Sequence, residues 1–420
     1  FQTYLGELMK RSIKIAVAAA MALSATSAFA TNGDHLIGMG AKARGMGGIG
    51  IGMSHGAESA LANPALITSV KGTEISFGGT IFMPDVETNM MGGGYQKSDA
   101  DLSVIPEVAI AQNAGNGFSW GIGMYGTAGM GTDYRNANGT NMQMVTNLQL
   151  MQFAVPLAYS ESGFSIGIAP VLQYGSLDMD YNAAGLPATG GTGPGGTLTS
   201  AEGKAATTGV AQDFGFGYNI GAAYETQGVT VGASYKSAID MSYKGVLENA
   251  TTQFRDWGYL ATALTDNLEQ PAEIGVGASY TEQGHTLAVD YKQIKWGSAK
   301  GYKDFGWEDQ NVFIIGYQFA QDNWALRAGY NHASNPIKEA NPALAGGIAF
   351  NMLNLLGFPA IVEDHYTVGG SYAFSKMTSV DLAYAYADET EESYSMGNTF
   401  GQIKTKHSQD SVSVQLNFNF

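Results

Sequence analysis

Three basic residues of this 420-residue chain, Lys236, Lys292 and Arg327, stand in segments where apolar and polar residues alternate. A period of two sends alternate side chains to opposite faces. Lys236 shares its face with Thr230 and Ser234, Lys292 with Asp290, and Arg327 with Ala325 and Gly329. Cations gathered on a polar inner face could hold the carboxylate of a ligand. They could equally form ion pairs with Glu273, Asp290 or Asp381, which fall on the same face. The residue types allow both readings.

Other chemistry finds little support. The six histidines, at 35, 55, 285, 332, 365 and 407, have no metal-type spacing, and there is no cysteine to form a disulfide or a thiolate metal site. No nucleophile is placed with a base, so neither an outer-membrane protease nor an acyltransferase is expected, and no metal or cofactor either. The glycine run Gly45-Met46-Gly47-Gly48-Ile49-Gly50-Ile51-Gly52 follows no strand and lacks the Lys-Ser/Thr pair of a nucleotide loop. The net charge of −16 argues against a nucleic-acid partner.

Apolar recognition is better supplied. Leu36, Ile37, Met39, Met46 and Met53 lie near the start of the chain, and methionine adapts to hydrocarbon of varied shape. A long connection carries Phe350-Asn351-Met352-Leu353-Asn354-Leu355-Leu356-Gly357-Phe358, and another carries Trp257, Tyr259 and Leu260. Candidate ligand contacts are therefore Leu36, Met39, Met46, Met53, Trp257, Leu353, Leu356 and Phe358, with Lys236, Lys292 and Arg327 as polar anchors. Packing within the plug or between loops is the competing reading for the apolar ones.

The elements that must position these residues are strands. Fourteen alternating segments follow residue 72, from Thr73–Met83 through, among others, Val229–Tyr243 and Thr378–Ala387 to His407–Phe420. From Ile274, residues Ile274, Val276, Ala278 and Tyr280 point one way and Glu273, Gly275, Gly277 and Ser279 the other. Every second connection is a tight turn, such as Ser160–Gly163, Glu225–Gly228 and Glu282–Gly284. The others are mostly long. Short turns on one rim and long loops on the other predict an all-β fold, a 14-stranded antiparallel transmembrane β-barrel with its short side periplasmic. So wide a barrel must be filled or be an open pore.

The ends agree. Met9, with Lys10, Arg11 and Lys14, precedes an apolar run, Ile15–Leu23, and Ala28-Phe29-Ala30. This predicts a signal peptide cleaved after Ala30, with residues 1–30 removed and a product near −18 exported to the outer membrane. Residues 31–71 do not alternate and predict a compact hatch inside the lumen, ahead of a barrel over 72–420. Within it, Asn63, Pro64 and Ala65 predict a sharp bend. Phe420 ends the last apolar face and is the expected assembly signal, read by barrel-assembly machinery. The expected surroundings are outer-membrane lipid and lipopolysaccharide, with the chain a monomer.

The sequence resembles the long-chain fatty acid transporter (FadL-like) family of outer-membrane proteins. The resemblance rests on Gly45-Met46-Gly47-Gly48 followed by Asn63-Pro64-Ala65, on Val104-Ile105-Pro106, and on Pro156-Leu157-Ala158-Tyr159 with Gly163-Phe164-Ser165-Ile166-Gly167. It continues through Asp322-Asn323-Trp324-Ala325-Leu326-Arg327-Ala328-Gly329-Tyr330, Asn335-Pro336 and Asn417-Phe418-Asn419-Phe420. It implies a fourteen-stranded barrel closed by a hatch. It also implies passive uptake of hydrophobic compounds: long-chain fatty acids or related lipids in some members, aromatic hydrocarbons in others. A further implication is lateral release through the barrel wall, for which Gly121, Gly123 and Gly126 mark a candidate strand. A non-specific porin and a receptor barrel that transports nothing are the alternatives.

Overall fold

The computed structural model describes residues 31–137, 141–182, 191–193, 196–198 and 205–420. The expected leader, with its cleavage after Ala30, lies outside them. The barrel strands are β1 Thr73–Met90, β2 Ser103–Gly115, β3 Phe118–Asp133, β4 in two pieces (Val145–Ala154 and Leu157–Glu161), β5 Phe164–Asn182, β6 Ala211–Thr226 and β7 Val229–Lys236. They continue as β8 Glu273–Glu282, β9 His285–Ile294, β10 Gln310–Gln321, β11 Trp324–Ala333, β12 Asp364–Ala373, β13 Thr378–Ser395 and β14 Gln402–Asn419. Each pairs antiparallel with its neighbours in the chain, and β14 returns to β1 over a register from Ile403↔Met90 to Asn419↔Glu74. Closure leaves no sheet edge, as an apolar surround requires. The result is the expected closed barrel of fourteen antiparallel strands.

The tight rim is built from two-residue turns. Asn116-Gly117, Ser162-Gly163, Gln227-Gly228 and Gln283-Gly284 all have positive φ at both positions, between 47° and 85°. That geometry matches the twist of the flanking strands and explains the recurrent glycine at the second place. Along β5, β8 and β11 the outward residues are apolar and exposed, among them Ile166, Val276 and Leu326, while the inward ones are mostly small or polar.

Several strands run beyond their sequence-based limits on the long-loop side. β1 reaches Met90 rather than Met83, β13 reaches Ser395 rather than Ala387, and β14 begins at Gln402 rather than His407. There both faces of the ladder lose apolar contrast, so alternation no longer marks the strand. β7 ends early, at Lys236 rather than Tyr243, because the chain leaves the wall through two isolated bridges, Ile239↔Gln270 and Ser242↔Asn267. β4 breaks at Val155-Pro156, where proline has no N–H to give.

Two layers fill the lumen. Residues 31–71 form short strands, Thr31–Asn32 and His35–Leu36, and short helical turns at Gly40–Arg44, Ser59–Ala62 and Pro64–Ser69. On the long-loop side a helix, Leu247–Asp256, and a helical stretch over Gly347–Met352 and Leu353–Gly357 close the mouth. Leu353, Leu355, Leu356, Trp257, Met142, Met144 and Met179 there are all buried in one continuous apolar core.

Candidate functional site

The N-terminal segment is fastened to the inner wall by its backbone. Asp290 of β9 accepts from the N–H groups of Gly50 and Ile51, each at 2.8 Å, and of Gly52 at 3.0 Å. This turns the glycine run into an anion-binding concavity for a wall carboxylate. Asn331 donates to the Gly47 carbonyl at 2.9 Å, and Ser279 to that of Gly52 at 2.8 Å. The wall glycines make these approaches possible: a Cβ on Gly232 would sit 2.0 Å from the Ile51 carbonyl oxygen.

Asn63 sits where the expected bend falls. It is fully buried and extended (φ −148°, ψ 100°), and its side-chain oxygen accepts from Ala65 N–H at 3.2 Å to cap the turn that Pro64 opens. Its amide donates to Ile51 O at 3.0 Å and to Ala222 O of β6 at 3.2 Å. One side chain thus joins the bend, the glycine run and the wall.

The three expected anchors all have acid partners. Lys236 and Lys292 share Glu273, at 2.9 and 3.2 Å. Arg327 lies 3.6 Å from Asp381 and also donates to Gln318 and Ser371. Lys236 and Lys292 nevertheless line two small cavities, of about 30 and 40 Å³, together with Leu36 and Met39. Each is far smaller than the pocket of a typical hydrophobic ligand. Met46 is buried under the wall and Met53 is partly buried. Trp257, Leu353, Leu356 and Phe358 belong to the cap, yet they share one continuous core with Met46, against which Met39 and Met53 also pack. Tyr259 meets Phe400 across the mouth, ring centroids 5.6 Å apart.

Residues absent from the expected set complete the picture. Arg44 is buried and forms a two-pronged pair with Glu107 of β2, at 2.5 and 2.9 Å, while donating to Thr80 at 2.6 Å. Glu58 is also buried, and neither of its carboxylate oxygens has a hydrogen-bond partner among the described residues. Burial pushes its carboxyl well above the ordinary range, with Lys42 opposing.

The wall itself has one interrupted seam. β2 and β3 pair from Gly115↔Phe118 up to Glu107↔Tyr125 and no further. Pro106 stands at the next position of β2, without an N–H to offer. Beyond it β2 pairs with β1 alone. β3 carries a bulge between Gly126 and Ala128 and pairs with β4 and, through Ala128↔His35, with the N-terminal segment. At Gly121 and Gly123 the ladder is intact, so of the three glycines only Gly126 marks the break. Leu36 fills the inside of the seam, packed with Phe82, Ile105 and Met39.

Over residues 15–420 the chain matches the family model described as outer membrane protein transport protein (OMPP1/FadL/TodX). The chain belongs to this family. The FadL/TodX family is one of transport proteins. The chain is 22% identical over 412 aligned positions to a 47 kDa outer membrane protein of Pasteurella multocida, covering 88% of this chain and 92% of that one. A Pseudomonas aeruginosa FadL homologue has the same fold, with a TM-score of 0.69 at 16% identity over 92% of this chain and all of the other. So has the toluene transporter TodX of P. putida, with a TM-score of 0.65 at 19% identity over 91% and 99%. The toluene transporter TbuX of Ralstonia pickettii gives 0.61 at 18% identity over the same shares. In this FadL/TodX member the sequence signal that could have located the seam is Pro106, a proline inside an otherwise regular strand, whereas the sequence reading rested on the glycines of β3.

Proposed function

We propose that this protein is a passive outer-membrane channel for hydrophobic compounds, namely long-chain fatty acids, related lipids or hydrocarbons. Export by the leader over residues 1–30 belongs to this reading, as does a hatch role for residues 31–71. Ligand is captured at the apolar extracellular cap, passes the hatch, and leaves sideways between β2 and β3. The carrying observation is the seam. A barrel wall needs every backbone group paired, and here one strand gives up its neighbour and takes the hatch instead. What closes the gap is side chain, Leu36 against Ile105 and Phe82, which can move without breaking a ladder. Aromatic substrates remain within the reading, since relatives of the same fold are named for toluene.

The seam can be stapled. A Cβ built on Gly126 would lie 3.8 Å from the Cβ of Ile105, which is the usual spacing in a disulfide. The chain has no cysteine to compete. Ile105→Cys/Gly126→Cys, oxidised, should fold and lose uptake of radiolabelled palmitate and toluene, with recovery on reduction. Uptake unaffected by the closed staple would remove the lateral exit. A large steady ohmic conductance of the wild-type protein in planar bilayers would instead favour an open porin.

A further inference from the structure

We propose that this channel admits hydrophobic molecules in their uncharged form and turns away ionised carboxylates, because its mouth is acidic and its inner cations are already paired. The inference rests on the uptake reading and narrows its substrate class.

The net charge of −16 is not spread evenly. The short-turn rim carries Glu161, Glu225, Glu282 and Asp322 against Lys71 and Lys376. On the long-loop side acids clearly outnumber bases among the described residues. Several of those bases are themselves taken up by acids: Lys97 by Asp85, Lys406 by Glu389 and Lys300 by Asp240. Three glutamates stand beside the apolar cap. Asn335 donates from its backbone to Glu363 at 2.8 Å and from its side chain to Glu392 at 3.2 Å, and Ser395 N–H donates to Glu339 at 2.7 Å. Asn351 of the cap donates to the carbonyls of Ala340 and Ser395, at 2.9 and 2.8 Å, which holds these acids at the edge of the apolar stretch. Lys338 beside them leaves that edge negative. A field of this kind lowers the encounter rate of an anion, with a reach of about 8 Å at physiological ionic strength.

Inside, no cation is left over. Lys42 lies 3.7 Å from Glu74 and 3.8 Å from Asp381, and Arg44 grips Glu107. Lys236 and Lys292 share Glu273, with Asp290 lining the same cavity, and Arg327 faces Asp381. Glu58 adds a further buried carboxyl. An ionised ligand would enter this interior without a partner, at a desolvation cost that its neutral counterpart avoids. The donors that do stand free are neutral. The Trp257 indole N–H in the cap and the Tyr243 hydroxyl on the segment leading to it are buried with no hydrogen-bond partner among the described residues. They suit an uncharged oxygen.

Palmitate and hexadecanol share a chain length and differ in charge. Their initial uptake, resistant to an albumin wash and at equal free concentration, is compared in cells that express this chain and lack other channels of its kind, with the rate in cells without it subtracted. At pH 8 hexadecanol should enter at least fivefold faster, and the gap should narrow at pH 5 as palmitate takes up its proton. Glu339→Gln/Glu363→Gln/Glu392→Gln keeps an acceptor oxygen for each N–H. It should raise palmitate uptake at pH 8 about threefold and leave hexadecanol unchanged. Heat-modifiability confirms the barrel. If that variant does not assemble, Glu389→Lys/Glu391→Lys, at exposed positions of β13, alters the same field and should act in the same direction. Palmitate entering as fast as hexadecanol at pH 8, or at a rate that the charge changes do not move, would overturn the selection. If neither molecule enters faster than in cells without the chain, the uptake reading itself fails, and this inference with it.

Discussion

Arg44 and Glu107 meet on the last rung that joins β2 to β3. Glu107 is paired across the strands with Tyr125, and the Arg44 guanidinium grips both its carboxylate oxygens from inside. The N-terminal segment is therefore clamped to the wall at the point where the pairing of β2 with β3 ends. Removing one member of such a buried pair leaves an uncompensated charge.

Arg44→Met should accordingly destabilise the closed hatch by about 3–5 kcal/mol. Glu107→Gln should do similar damage. The double substitution should cost clearly less than the sum of the two. Denaturant titration followed by protease access to residues 31–71 measures each. Additive losses would show that the two side chains do not act as a pair.

The bend at Asn63 makes a second prediction. Asn63→Ala/Pro64→Ala removes two donated hydrogen bonds and a cap but no rung of the barrel ladder. The barrel should still assemble and show normal heat-modifiability. The hatch should lose about 1–3 kcal/mol of anchoring for each buried group left unpaired. Small polar solutes should then leak through, or hydrophobic uptake should fall. Normal tightness together with normal uptake would remove Asn63 from the hatch mechanism.

Glu58 makes stability depend on pH. Burial raises its carboxyl in the folded protein above the ordinary glutamate range. Between the unfolded and the folded pKa the native state holds a proton that the unfolded state has released, so stability falls as pH rises through that window. Glu58→Gln should therefore raise the unfolding midpoint at pH 8 more than at pH 5. An equal shift at both values would show that Glu58 is not buried with a raised pKa.

Much of the fold could be read directly from the chain, because lipid demands apolar residues on every second position and turns demand glycine. That is why the faces of β8 and β11 sort residue by residue. The ion pairs of Lys236, Lys292 and Arg327 were one of two readings that the same alternation left open, since an inward cation could equally have held a ligand carboxylate. The outer ends of β1, β13 and β14 were not readable, because a ladder standing clear of the membrane keeps its hydrogen bonds without keeping its apolar stripe. Nor was the role of Asp290, since its partners are backbone N–H groups that any sequence would supply. The cap was only half visible. Residues 350–358 announced themselves as apolar, but their placement depends on partners from distant strands and loops, such as Thr146, Thr405 and Phe305, which local pattern does not connect.

Among the described residues the mouth of this barrel is closed by packed apolar side chains rather than narrowed, and under the proposed function that sets the kind of barrier the cell presents. A narrow water-filled hole sieves by diameter, and its flux follows the viscosity of water. A plug of interlocked side chains admits nothing until its packing loosens, at a cost in lost contacts that a hydrocarbon can replace and an ion or sugar cannot. On the proposed function, discrimination is then made by solubility in a protein interior, and permeation should steepen with temperature as side-chain rearrangement does, rather than with the shallow slope of diffusion in water.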